Sequence, residues 1–151
     1  MNKKAFAQMA RKIMQENIYL SLGTYSTKSG PWVSPLYYCV DKNYNFYYAS
    51  QLTSVHAKNI FQNSSISFAI FDSQVPEGMG RGVQIAGKAS LVKKSELKDA
   101  LKVYKSKFLS PELLSDKNAP YKLFRLTPKQ IFVRDPEANV DRRVRVDVKE
   151  F

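Results

Sequence analysis

The sequence predicts a mainly β chain with peripheral helices, built as an antiparallel barrel. Three observations carry this. Six or seven short runs alternate apolar and polar side chains with the two-residue period of strands covered on one face. Turn-forming Gly, Pro, Asn and Asp residues separate these runs at hairpin spacing. Helical periodicity interrupts the series only at the N-terminus, once briefly between strands, and once at greater length before the final strands.

The N-terminal segment, residues 2–16, places Phe6, Met9, Ala10, Ile13 and Met14 at helical spacing, which reads as an amphipathic helix rather than a secretory signal. Ile18, Leu20 and Leu22 alternate with Tyr19, Ser21 and Gly23 as the first strand. After a turn at Lys28-Ser29-Gly30, residues 32–40 return. Pro35 within that run lacks the N–H that a central ladder needs, so it marks an edge, a bulge or a ligand-facing position. Asp41-Lys42-Asn43 is a hairpin signal leading into the aromatic strand 45–50. A short helix over 54–62 follows, then a strand over 65–71 and a loop over 72–80. A long strand spans 82–92, where Gly87 suggests a bulge or close backbone approach. Ser95 is the expected N-cap of a helix whose lysines 94, 98, 102 and 105 oppose Leu97, Ala100, Leu101, Tyr104 and Phe108. Residues 111–120 read as a loop. Two strand segments, 121–126 and 130–134, are expected to be interrupted at Thr127-Pro128, with a last strand over 140–148.

A chain of 151 residues supports one domain, 1–151, with a core that needs neither metal nor disulfide. Cys39 is the single cysteine, so no internal bridge forms, and its apolar strand context predicts a buried thiol in a reducing cytoplasm. No apolar run reaches the roughly 20 residues needed to span a bilayer. The net charge of +11 calls for considering nucleic acid or another polyanion. The lysine-rich helix nevertheless reads as a solvated face, the aromatic residues sit at alternating strand positions, and no basic-aromatic RNA-binding motif is present.

The segment Thr53-Ser54-Val55-His56-Ala57-Lys58-Asn59-Ile60 sets hydroxyls, the only histidine and a lysine at a helix start directly after a strand. Unpaired N–H groups of a first helical turn favour an anion, and Ser54 can serve there as N-cap or phosphate ligand. One histidine without a cysteine or carboxylate cluster cannot build a typical zinc site.

Taken in order, Tyr19-Leu20-Ser21-Leu22-Gly23-Thr24, Trp32-Val33-Ser34-Pro35-Leu36-Tyr37-Tyr38, Phe46-Tyr47-Tyr48-Ala49-Ser50, residues 54–60, residues 82–89 and Phe124-Arg125-Leu126-Thr127-Pro128 resemble the pyridoxamine 5′-phosphate oxidase-like, FMN-binding split-barrel family. The resemblance covers about residues 18–134. It implies a split barrel, a homodimer and two FMN sites at the subunit interface. By the same resemblance Ser34, Pro35, Leu36 and Tyr37 run beside the isoalloxazine ring, largely through backbone contacts. Ala49, Ser50, Thr53 and Ser54 lie near the ribityl phosphate, with His56 and Lys58 around it; the glutamine that often approaches the flavin is matched by Gly82, with Gln84 two residues later on the same strand. Two further departures matter. The family's basic pair after the matching serine is replaced by Val55 and His56, leaving Lys58, Arg81 or an arginine of the other subunit to compensate. The C-terminal substrate signature of the true oxidases is not evident, which argues against that reaction.

The expectation is therefore a cytoplasmic FMN-binding flavoprotein acting as an oxidoreductase on an unidentified small molecule, with no side chain assigned as acid or base. Deazaflavin and haem are alternative cofactors, and haem needs only one axial ligand. The competing class is a non-enzymatic polyanion- or nucleic-acid-binding protein. The pairs Tyr37-Tyr38 and Tyr47-Tyr48 are expected to offer apolar area on both faces of their strands for the dimer.

Overall fold

The computed structural model describes residues 1–107, 114 and 119–149, so the predicted 111–120 loop and Phe108 lie largely outside it. Three helices and eight strands are found among these residues: α1 (Lys3–Glu16), β1 (Tyr19–Ser26), β2 (Gly30–Tyr37), β3 (Cys39–Val40), β4 (Phe46–Gln51), α2 (Val55–Gln62), β5 (Ser65–Phe71), β6 (Gly82–Leu91), α3 (Leu97–Lys107), β7 (Tyr121–Arg134) and β8 (Arg143–Val146). All strand pairings are antiparallel, in the order β2-β1-β5-β6-β7-β4-β3, with β8 added to β7. The two ends of that order, β2 and β3, are separated in sequence by Tyr38 alone. One continuous run of chain thus pairs with β1 at its start and with β4 at its end, which curls the sheet into a split barrel.

Alternation does what the sequence predicts. Leu20 and Leu22 of β1, Ile66, Phe68 and Ile70 of β5, and Val83, Ile85 and Ala89 of β6 all point into one core with Phe46, Tyr48, Phe124 and Leu126. Helix α1 closes this core with Phe6, Ala10, Ile13 and Met14, and Asn2 caps it by accepting from the Ala5 N–H at 2.9 Å. The Tyr38 hydroxyl donates to the Met14 carbonyl at 2.7 Å, satisfying an orphan acceptor in the last turn of α1. A smaller cluster of Cys39, Tyr47, Leu123 and Ala100 seats α3 on the barrel, with Leu97, Val103 and Tyr104 beside it. Lysines 94, 98, 102 and 105 are exposed, as a solvated face requires. Burial pushes the Cys39 thiol up to about 12, so it is inert at neutral pH.

Several predicted details change. Ser95 is not a cap: it lies inside a 3-10 turn, Lys94–Glu96, that precedes α3 and has no side-chain cap. The interruption predicted at Thr127-Pro128 is absent, because β7 runs unbroken from residue 121 to 134. Proline is tolerated there because the register against β6 shifts between Ala86 and Gly87, leaving Lys129 as the extra residue of a bulge. Gly87 makes the bulge possible: a Cβ there would lie 2.3 Å from the Thr127 carbonyl oxygen. The last strand is shorter than predicted. Of the four tyrosines expected to serve a dimer, Tyr38, Tyr47 and Tyr48 are buried in their own chain, and only Tyr37, 50% exposed, faces outward.

Candidate functional site

β2 is an edge strand, and its hydrogen-bonding phase follows from one contact. The Tyr38 N–H donates to the Ile18 carbonyl at 3.2 Å, and the β1–β2 register pairs Leu36 with Leu20 and Ser34 with Leu22. Antiparallel ladders alternate bonded and non-bonded pairs, so even-numbered residues of β2 bond to β1 while odd-numbered residues turn their backbone groups to the free edge. The N–H and C=O groups of Val33 and the C=O of Pro35 therefore face the free edge rather than β1. Pro31 and Pro35 both fall at outward phases, where a missing N–H costs no ladder bond. Side chains alternate too: Pro35 and Tyr37 are exposed, Leu36 is half-buried, and Ser34 is 7% exposed on the inner face.

Against that inner face stands α2. Ser54 is its N-cap, accepting from the Ala57 N–H at 3.3 Å and donating to the Gln51 carbonyl at 2.9 Å. The next residues diverge. His56 turns inward, 8% exposed, and its ring bridges two strands: Nδ1 lies 3.0 Å from Ser34 Oγ of β2, and Nε2 lies 2.7 Å from Ser50 Oγ of β4. Burial holds the imidazole pKa below its ordinary 6.5, favouring the neutral ring. Lys58 is exposed on the other side of the helix, as is Thr53 just before it. The sequence thus brings Ser34, Ser50, Ser54 and His56 together, with half-buried Ala49 alongside Ser50 on β4. Gln84 is elsewhere, exposed on β6, where it accepts from Arg143 Nε at 3.0 Å.

A second polar cluster was not singled out from the sequence. Asn59, 1% exposed, accepts from Ser26 Oγ at 2.8 Å and Ser29 Oγ at 2.6 Å, and donates through Nδ2 to Thr24 Oγ1 at 3.1 Å. It fastens α2 to the β1–β2 hairpin as His56 fastens it to β2 and β4. The signal was present in the helical offset: residues 56, 59 and 60 share the face of α2 opposite Lys58. Beside the histidine, Tyr48 packs edge-on to the imidazole with ring centroids 5.8 Å apart and stacks on Phe124 at 5.1 Å. Its hydroxyl is buried without a hydrogen-bond partner among the described residues.

A flavin needs hydrogen-bond partners for its ring edge, an apolar slot and a cationic pocket for phosphate. The free edge of β2 supplies the first, and Pro35 and Tyr37 contribute to the second. For the phosphate, the first-turn N–H groups of Val55 and His56 have no intrahelical acceptor. The hydroxyls of Ser50 and Ser54 are engaged internally, and Lys58 is the one cation on α2. The residues present fit the ring better than the phosphate. Haem fits His56 less well, since ligation requires the ring to surrender one of its serine bonds. No group of three or more His, Cys, Asp or Glu side chains that could hold a metal ion occurs among the described residues. No helix among them is long and apolar enough to cross a membrane.

The outer face of the sheet completes the picture. Across β2, β1, β5 and β6, Val33 stands opposite Gly23, Gly23 opposite Ser67 and Ser67 opposite Ala86, a row of small side chains around one exposed valine. Directly opposed residues point to the same side. On this side also lie Tyr19, Tyr25, Tyr37 and Phe71, each about half exposed (47–53%), with Tyr19 and Tyr37 stacked at 4.1 Å.

The pyridoxamine 5′-phosphate oxidase family model matches residues 6–135, and the chain belongs to that family. No curated protein matches it significantly. Among solved structures, it is similar to a haem-binding protein from Mycobacterium smegmatis, with TM-score 0.78 and 18% identity over 95% of this chain. It spans only 58% of that protein's length. It is similar as well to HutZ, the haem storage protein from Vibrio cholerae, with TM-score 0.73 and 23% identity, covering 85% of this chain and 94% of that one. An FAD-binding protein from Mesorhizobium loti aligns with TM-score 0.65 and 18% identity, covering 83% and 91%. At these identities the likeness is one of fold.

Proposed function

We propose that this chain is an FMN-binding flavoprotein, with the ring edge along the free edge of β2, the phosphate at the start of α2, and the site completed by a second copy of the chain. The observation that carries this reading is the free-edge backbone of Val33 and Pro35 beside a helix start tethered to the same strand by His56. When bound, the flavin would supply the electron transfer, and the reaction class would be that of an oxidoreductase acting on a small molecule. The chain's own part is to hold the ring flat and align the phosphate. Membership of the family supports flavin chemistry, and the outer face rich in small and aromatic side chains supports the dimer.

The test is a titration of the purified protein with FMN and with riboflavin, followed by flavin absorbance and fluorescence. About one FMN per chain is expected. Lys58→Ala should weaken FMN by about 1–3 kcal/mol, the range for a hydrogen bond to a charged group, while riboflavin, which has no phosphate, changes little. Saturable binding of haem or deazaflavin without any binding of FMN overturns the assignment. Haem is the second reading, favoured by the haem-binding and haem-storing neighbours, and a hemin titration belongs in the same experiment.

A further inference from the structure

A groove of about 480 Å³ shares no residue with the α2 site. It lies between the start of α1, the β3–β4 turn, the bulge of β7 and β8. Lys3, Lys129, Arg145 and Lys149 line it, and among the described residues none of them forms an ion pair. Asp147 is its only acid among the described residues, and one oxygen of that carboxylate already accepts from the Lys149 backbone N–H at 2.8 Å. Like charges gathered around one carboxylate repel one another, and an anion in the groove would relieve that repulsion.

Two local departures from regular backbone meet at the same place. Lys129 is the extra residue of the β7 bulge, and bulges re-aim side chains; this one also requires glycine at position 87. Tyr44 in the β3–β4 turn has φ of 60°, a left-handed conformation that costs a bulky side chain about 1–3 kcal/mol. Tyr44 also lines the groove, beside half-buried Val144 and Val146. A bare inorganic ion would use the cations and leave this apolar lining uncovered. The volume falls within the roughly 300–1,000 Å³ usual for small-molecule sites.

We propose that this groove binds a nucleotide-sized organic phosphate, its phosphates held by Lys3 and Lys129 and its organic body against Tyr44 and Val146. A multiply charged anion suits several cations around one described acid better than a simple carboxylate does. The site is independent of the flavin reading.

Isothermal titration calorimetry of the full chain at low salt, with ADP as probe and pyrophosphate and adenosine as separate arms, tests it. ADP should bind at one site, more tightly than pyrophosphate, with adenosine much weaker than both. Lys3→Ala and Lys129→Ala should each weaken ADP by about tenfold or more, the loss expected for a hydrogen bond to a charged group. Both residues are exposed, so the variants should keep the wild-type circular dichroism and melting temperature. Lys58→Ala should leave ADP binding unchanged, and FMN binding should survive Lys3→Ala and Lys129→Ala, which keeps this proposal separable from the flavin one. Four results overturn it: no ADP binding; ADP binding that ignores Lys3→Ala and Lys129→Ala; pyrophosphate binding as tightly as ADP; or steeply salt-dependent binding of an RNA homopolymer in place of ADP, which would favour a polyanion surface.

Discussion

Replacing His56 by alanine removes both halves of the bridge that ties α2 to β2 and β4. Each serine–imidazole hydrogen bond is worth about 0.5–1.5 kcal/mol net. The substitution also strands Ser34 Oγ, which has no other hydrogen bond among the described residues, whereas Ser50 Oγ keeps Ser54 Oγ at 3.3 Å. Adding the lost packing against Tyr48 gives a destabilisation of about 2–4 kcal/mol, against about 1–3 kcal/mol for Ser34→Ala, which breaks one bond and leaves His56 Nδ1 stranded. Urea unfolding followed by the fluorescence of the single tryptophan, Trp32, reads this directly. The pH dependence is the sharper test, because His56 is the only histidine. Its folded pKa lies below the ordinary 6.5, so the unfolded chain binds the proton more readily. Stability from the neutral ring is complete above pH 6.5, falls as the pH drops through that value, and levels off below the folded pKa. A protonated ring could still donate to both serine hydroxyls, so the loss reflects burial of charge rather than broken hydrogen bonds. The wild type should therefore lose stability relative to His56→Ala as the pH falls through 6.5. An imidazole titrating at or above 6.5 by NMR, or parallel pH profiles for the two proteins, refutes the buried bridge.

Tyr48→Phe deletes a buried hydroxyl that has no partner among the described residues, and should leave stability unchanged or raise it by about 1 kcal/mol in the same assay; a loss of about 2 kcal/mol or more would mean that the hydroxyl is bonded after all. Gly87→Ala drives a methyl group into the Thr127 carbonyl, so it should cost about 2–3 kcal/mol and lower the melting temperature, whereas Ala86→Gly, one residue away on the exposed side, should cost no more than about 1 kcal/mol. If the outer face is the dimer contact, light scattering should give twice the chain's 17.3 kDa for the wild type, and Val33→Glu, which sets a charge at a 66%-exposed valine in the middle of the small-residue row, should return the single-chain mass. A monomeric wild type removes the basis for a shared site.

The sequence by itself determined the order and type of nearly every element, because strand alternation and helix periodicity are local signals. The 65–71 strand, the capped helix after Ser54 and the long strand from residue 82 stand as the pattern predicts. Pro35 left an edge, a bulge or a ligand-facing position open, of which the pairing makes β2 an edge, and the ordered motifs named the family. The tertiary structure decided what local patterns do not encode. A proline at position 128 reads as a break, yet β7 continues, since a glycine on the neighbouring strand admits a bulge there. The expected phosphate cluster divides because α2 turns Lys58 to solvent and His56 inward, and two serines 16 residues apart in sequence become the partners of one imidazole. Asn59 gains its role only when the β1–β2 hairpin closes over it. Burial and long-range hydrogen bonding are properties of the assembled barrel, and they separate the histidine that holds the site together from the lysine left free to meet a ligand.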